Sequence, residues 1–243
     1  MKHLKTFFGV LTLVLAVSCA KTQSATSGQV TFVVSSDQQV ADVTKSKVSD
    51  YTSLPEAADF IITITGEEYS WTGKVSEWST ETALHAGEYS VTATYGSLEA
   101  EGFDKPFFTG SETFEIKGGE EEPVAVSIPV SLGNAVVKME FTDWFKNYYP
   151  EYTFKLTRDG SDIVTFTKGE TRAAFVDPWK FNLEGTLTAE TKTNTINKTY
   201  SNLEVATAYT FRFDVSNAGG TSITIEFNDT VETVELGDCE LND

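Results

Sequence analysis

The chain has 243 residues, with 36 acidic against 18 basic side chains and a formal net charge of −18. A surplus of that size argues against a nucleic-acid backbone as ligand, because such footprints are basic and clustered, and against direct binding to anionic lipid. It favours solubility and resistance to self-association instead.

The first segment is ordered by charge and hydropathy. Lys2 and Lys5 precede a twelve-residue, mainly apolar run from Thr6 to Val17, closed by the small Ser18. This is the pattern of a secretory signal, and it is too short for a transmembrane helix of about 20 apolar residues. The run ends in "LAVSC", which resembles a bacterial lipobox. The resemblance implies that Cys19 carries a diacylglycerol and becomes the new N-terminus. One departure is Ala16, where a larger aliphatic residue is usual. "AKTQSATSG" then reads as a flexible tether. In the Bacteroidetes-type lipoproteins whose lipobox this segment resembles, an acidic cluster just after the cysteine marks export to the surface, but Lys21 is the only charge there. Removing residues 1–18 takes the basic side chains from 18 to 16 against 36 acidic ones, a net charge of −20. With Cys19 acylated, Cys239 has no partner for an internal disulfide, and it reads as a small hydrophobe on the last strand.

From there on, short runs alternate β-branched or aromatic residues with polar ones and end in turn residues. "GQVTFVVSS", "ADFIITITG", "GEYSVTATYG" and "ETFEIKGG" are of this kind, as are "EYTFKLTRDG", "SDIVTFTKG", "KFNLEGTLTAE" and "TSITIEFND". Such evenly spaced runs of period two predict an all-β sandwich or barrel. Asp159-Gly160 between two of them predicts a hairpin turn. "YTSLPEAADF" and "TDWFKNYYP" are each predicted to make a short helical turn, with Ser53 and Thr142 as N-caps.

"KGGEEEP" near the midpoint and a faint internal echo favour two domains. Leu84, Ala86 and Tyr89 open a strand as Leu203, Ala206 and Tyr209 do. A tyrosine entering a strand in this way matches the tyrosine corner of immunoglobulin-like sandwiches. The expected organisation is a signal peptide at 1–18, a tether at 19–28, an N-terminal β-sandwich at 29–132 and a C-terminal β-sandwich at 133–243.

"ALHAGEYSVTATYG", "KPFFTGSETFEI" and "SLGNAVVKMEF", together with the lipobox, carry a family resemblance. The chain resembles the tandem β-sandwich lipoproteins of Bacteroidetes grouped under a domain of unknown function, which are similar to fimbrillin and fimbrial-anchor proteins. The resemblance implies two tandem immunoglobulin-like or transthyretin-like sandwiches and a role in adhesion or surface assembly. Polymerising fimbrillins are released by cleavage after an early arginine, whereas the first arginine here is Arg158. That departure favours an uncleaved anchor, accessory subunit or free-standing lipoprotein.

Catalytic signals are sparse. His85 has neither a G-x-S-x-G serine nor an activated cysteine beside it, and reads as an exposed turn residue. After removal of residues 1–18, one histidine and one free cysteine remain and cannot fill a zinc site. No phosphate-cradling glycine loop is present, and no cofactor is expected. Glu120, Glu121 and Glu122 read as a solvated linker rather than a calcium loop. "DTV" at Asp229 to Val231 resembles the Bacteroidetes O-glycan acceptor pattern.

The most distinctive internal feature is the aromatic segment "DWFKNYYPEYTF", Asp143 to Phe154. Two readings stand side by side: a plug over the end of the second sandwich, or a stacking platform for a partner or sugar. Trp144, Tyr148, Tyr149 and Trp179 are the candidate binding aromatics. Trp71 and Trp78, seven apart, are expected to face opposite sides of one strand. The sequence therefore predicts a non-catalytic lipoprotein held in the outer membrane through Cys19 and facing the cell surface or the periplasm. Its expected partner is a pilin or another envelope protein. Glycan binding through exposed Trp and Tyr is the alternative, and a sandwich-fold hydrolase a remote one.

Overall fold

The computed structural model describes residues 26–36, 40, 46–119, 122–190, 192–215, 222–227 and 230–235. The leader, Cys19 and the tether up to residue 25 lie outside the described residues, as do Cys239, Asp229 and Glu120–Glu121.

Among the described residues before 133, nine strands form: β1 (Ser27–Gly28), β2 (Val30–Ser36), β3 (Ile61–Thr65), β4 (Ser70–Lys74), β5 (Leu84–His85), β6 (Gly87–Tyr95), β7 (Gly102–Phe103), β8 (Phe108–Ile116) and β9 (Val124–Leu132). Six of them make a sheet in the order β2-β9-β8-β6-β3-β4, antiparallel except for the parallel β2/β9 pair. Alternation drives it: in β9, "VAVSIPVSL", every second residue from Val126 to Leu132 is buried. The β8/β9 ladder is only two pairs long although each strand has nine residues. At this corner a side chain on Gly110 would place its Cβ 1.9 Å from the Pro129 carbonyl oxygen. The sheet then folds over until its edges meet. The Trp78 indole N–H, beyond β4, donates to the Val30 carbonyl of β2 at 2.9 Å. Phe32 of β2 packs edge-on against Trp78 at 5.4 Å. Trp71 and Trp78 are themselves in edge contact at 5.0 Å, not on opposite sides. A 3₁₀ turn at Val75–Glu77 breaks the strand between them and resets the alternation.

The second part contains β10 (Ala135–Phe141), α1 (Asp143–Tyr148), β11 (Glu151–Arg158), β12 (Ser161–Thr167), β13 (Ala174–Val176), β14 (Lys180–Ala189), β15 (Lys192–Ser201), β16 (Ala208–Val215), β17 (Ser222–Phe227) and β18 (Thr230–Glu235). One sheet runs β18-β17-β16-β10-β13-β7 and the other β12-β11-β14-β15. Like β2/β9, the β10/β16 pair is parallel. The layers enclose a phenylalanine-rich core that includes Phe154, Phe166, Phe181, Phe211 and Phe213. Asp159 and Gly160 both adopt positive φ, 50° and 81°, and close the β11/β12 hairpin as the sequence predicts.

The two cores meet through β10 and β13. Val137 and Ala174 face the second core, while Val136 and Phe175 on the same strands face the first. These strands are buried on both sides, which is why "AVV" and "AFV" are continuously apolar rather than alternating. β7, from the first part of the chain, pairs with β13 and so extends the second part's sheet.

Short helical turns depart from expectation in one place. Thr142 caps α1, its hydroxyl accepting from the Phe145 amide at 3.2 Å. Ser53 caps nothing: 3₁₀ turns form at Val48–Asp50 and Ala57–Asp59, with Lys47 and Glu56 at their N-caps.

Candidate functional site

Five large hydrophobic residues are markedly exposed among the described residues: Trp179 (74%), Trp144 (73%), Val33 (59%), Val205 (58%) and Ile61 (46%). Trp179 stands on the β13–β14 loop, where the chain must leave an apolar strand and turn at once. Asp177 starts that turn, its carboxylate accepting from the Trp179 amide at 2.9 Å. The loop is gripped from beneath by Arg158 at the end of β11. Its Nε donates to the Lys180 carbonyl at 2.8 Å and its Nη2 to the Asp177 carbonyl at 3.1 Å. Its Nη1 forms an ion pair with Glu101, whose other oxygen accepts from the Asp177 amide at 2.6 Å.

A second segment braces the loop from the side. The amides of Asn202 and Leu203 donate to the carbonyls of Trp179 and Pro178 at 3.3 and 3.1 Å. That segment presents Val205 and is then tied back, Ala206 N–H to the Asn134 carbonyl at 2.8 Å. Trp179 and Val205 are thus side chains of adjacent loops whose backbones are fixed at several points. A tryptophan held by a preset backbone loses little further freedom on contact with a partner.

β7, between Glu101 and Asp104, is clamped at both ends. Arg172 reaches Asp104 at 3.1 Å and Glu170 at 2.8 Å, and its guanidinium lies 4.5 Å from the centre of the Phe103 ring. Hydrogen bonding to Arg172 holds the Glu170 carboxyl down at about 2. Two of the chain's three arginines therefore grip the carboxylates that flank one two-residue strand.

The other predicted aromatics divide. Tyr149 is fully enclosed, with no face to offer, while Tyr148 is half-buried against it at 4.9 Å. Phe145, Tyr152 and Phe154 are also buried, so most of the aromatic segment fills the end of the second core. Trp144 alone points away. Its neighbour Phe145 packs edge-on against Tyr152 at the start of β11, whereas Arg158, which holds the Trp179 loop, closes the strand's other end, about 20 Å off at 3.3 Å per residue. Trp144 and Trp179 are thus carried by elements at opposite ends of β11. Sequence reading missed Glu101 and Val205, and noted Arg158 only as an absent cleavage site. Its usable signal was "DPW", an Asx turn stiffened by proline ahead of an exposed ring. His85 is exposed, and the described residues hold no cluster of three or more His, Cys, Asp or Glu able to bind a metal. No helix among the described residues is long and apolar enough to cross a membrane.

The architecture defines an all-β protein built from layered, largely antiparallel sheets, with a single short α-helix among the described residues. Its family follows: the chain belongs to Domain of unknown function (DUF4493), which matches residues 26–237. No curated protein matches it. Among solved structures it is similar to a fimbrial assembly protein from Parabacteroides distasonis, at 8% identity over 86% of this chain and 98% of that one, TM-score 0.48. A polysaccharide-binding candidate from Bacteroides thetaiotaomicron aligns at 11% identity over 86% and 98%, TM-score 0.48. A cell-adhesion candidate from Bacteroides ovatus aligns at 14% over 89% and 100%, TM-score 0.46. At these scores the likeness assigns no function.

Proposed function

We infer that this chain is a non-catalytic, membrane-anchored envelope protein. It is tethered through acylated Cys19 and docks a protein partner, as an adhesion or fimbria-associated accessory or anchor would. The observation that carries the reading is the Trp179 loop: a large exposed ring on backbone clamped by Arg158 and hydrogen-bonded to the segment that carries exposed Val205. Tryptophan in a preset loop is a typical interface anchor, and nothing in its surroundings supplies a nucleophile paired with a base. The proposed units are a leader at 1–18, a tether expected at 19–28 that ends before Ser27, since β1 (Ser27–Gly28) pairs with β5, and sandwiches at 29–132 and 133–243.

Photo-crosslinking in intact cells tests the docking. A photoreactive residue at position 179 or 205 is expected to trap the same envelope protein, and one at 144 is not. Different partners from 179 and 205, or none from either, would reject the reading. Metabolic labelling with an alkyne fatty acid tests the anchor, and the label is expected to vanish in Cys19→Ala.

A further inference from the structure

The outer face of β4-β3-β6-β8 is a lattice of hydroxyl groups. Register places Thr72, Thr63, Thr92 and Ser111 in one row across the four strands. The next row is Ser70, Thr65, Ser90 and Thr113. All eight are exposed or half-exposed, and the hydroxyls of Thr63 and Thr72 touch at 3.1 Å. Neighbours in a row are about 4.8 Å apart and the rows about 6.7 Å apart. Neither row contains a charge, in a chain whose net charge is −18. Beside the second row opens a cleft of about 590 Å³, lined also by Glu88, Glu115, Tyr89 and Phe114; the Tyr89 and Phe114 rings stack on the core side, Tyr89 being 7% exposed. That volume suits a small-molecule-sized group.

We propose that this face and its cleft bind a neutral glycan chain. Each Ser or Thr hydroxyl both donates and accepts, which matches a polyol along its length. Glu88 and Glu115 stand directly opposite one another across β6 and β8, a like-charge pair only partly relieved by Lys117, 3.9 Å from Glu115 and largely exposed. As acceptor-only groups they gain from sugar hydroxyl donors entering between them. A polyanion is repelled by the same carboxylates. A protein partner is disfavoured because interface cores are rich in aromatic residues and arginine and poor in serine, and these two rows hold neither of the former. The site lies on strands far in sequence from the Trp179 loop and does not depend on the docking proposed there.

Affinity electrophoresis of the soluble chain, residues 20–243, tests it in gels cast with a neutral glucan, mannan or galactan, and with a polyuronate as control. At least one neutral polymer is expected to retard the protein, and the polyuronate is not. Thr92→Glu and, on a separate strand, Ser111→Glu should each weaken the retardation at least fivefold, while Thr92→Ser keeps it. Circular dichroism and the melting temperature of each variant show whether it has folded. Trp179→Ala should leave glycan retardation intact while abolishing crosslinking to protein, so the two sites fail separately. Absence of retardation by every neutral polymer, or equal retardation in folded Thr92→Glu and Ser111→Glu, overturns the proposal.

Discussion

The Tyr89 hydroxyl donates to the carbonyl oxygen of His85, 2.9 Å away and four residues upstream. The second part of the chain repeats the device with the roles exchanged, the Tyr209 hydroxyl accepting from the Glu204 amide at 2.8 Å. Each tyrosine enters the strand that follows a crossing loop and pins that loop to the strand. Tyr89→Phe and Tyr209→Phe remove one hydrogen bond each and keep the ring. Each is expected to lower the unfolding free energy by about 1 kcal/mol, the ordinary net value of such a bond. The sites share no partner, so the double variant should lose the sum. Urea denaturation checks both the size and the additivity.

The Arg158–Glu101 pair is half a clamp and half a strut. It supports the Trp179 loop and ties the residue before β7 to the end of β11. Both side chains are largely shielded, at 22% and 11% exposure. Arg158→Met leaves Glu101 with a buried charge and frees two loop carbonyls, and should cost roughly 3 kcal/mol. Glu101→Gln keeps the shape and should cost less. The double variant is expected to lose clearly less than the two singles combined, because each removes the other's partner. Hydrogen exchange at the Trp179 amide should accelerate in Arg158→Met before global stability is lost.

The strands were legible because alternation is a local property: "VAVSIPVSL" and "GEYSVTATY" carry their burial pattern on their face. The hairpin at Asp159-Gly160 and the cap at Thr142 were legible for the same reason, since a turn or a cap is decided within four residues. The tyrosine echo was readable because the hydroxyl's target lies only four or five positions back. Trp179 stood out in the sequence as a candidate binding aromatic, but the support of its loop did not. Glu101 and Arg158 are 57 residues apart, and no local pattern marks one as the other's partner. Likewise "AVV" and "AFV" could not be told from ordinary core strands, although their two faces belong to different cores. Trp71 and Trp78 misled because counting by twos assumes one unbroken strand, and a 3₁₀ turn broke it.

Phe175 gives the join between the two cores a direct test. It is fully buried and packs into the first core from a strand of the second sheet. Phe175→Ala removes a ring that both parts depend on and should cost about 3–5 kcal/mol. Unfolding of the parent chain is expected to be a single transition by fluorescence and circular dichroism. In Phe175→Ala the transition should broaden or split as the two cores lose their shared contact. Two separate transitions already present in the parent would show that the join contributes little.

Glu170 makes acid stability testable at one residue. Its hydrogen bonds with Arg172 depress its carboxyl from an ordinary 4.5 to about 2. A carboxyl depressed in the folded state contributes stability that is complete above pH 4.5 and declines as pH falls from 4.5 towards 2. Arg172 stays protonated throughout, since its own pKa is raised by the same partners, Glu170 first and Asp104 second. Its guanidinium is about half exposed, at 53%, so screening limits the pair to about 1 kcal/mol. Glu170→Gln should therefore be less stable than the parent by about that amount at pH 7, where the carboxylate is fully charged. Other acids titrate in the same range, so the informative quantity is the difference between the two proteins. That difference is expected to shrink steadily below pH 4.5. A gap that stayed constant down to pH 2.5 would mean that the glutamate acts through packing, and that its charge on Arg172 contributes nothing to holding β7 in place.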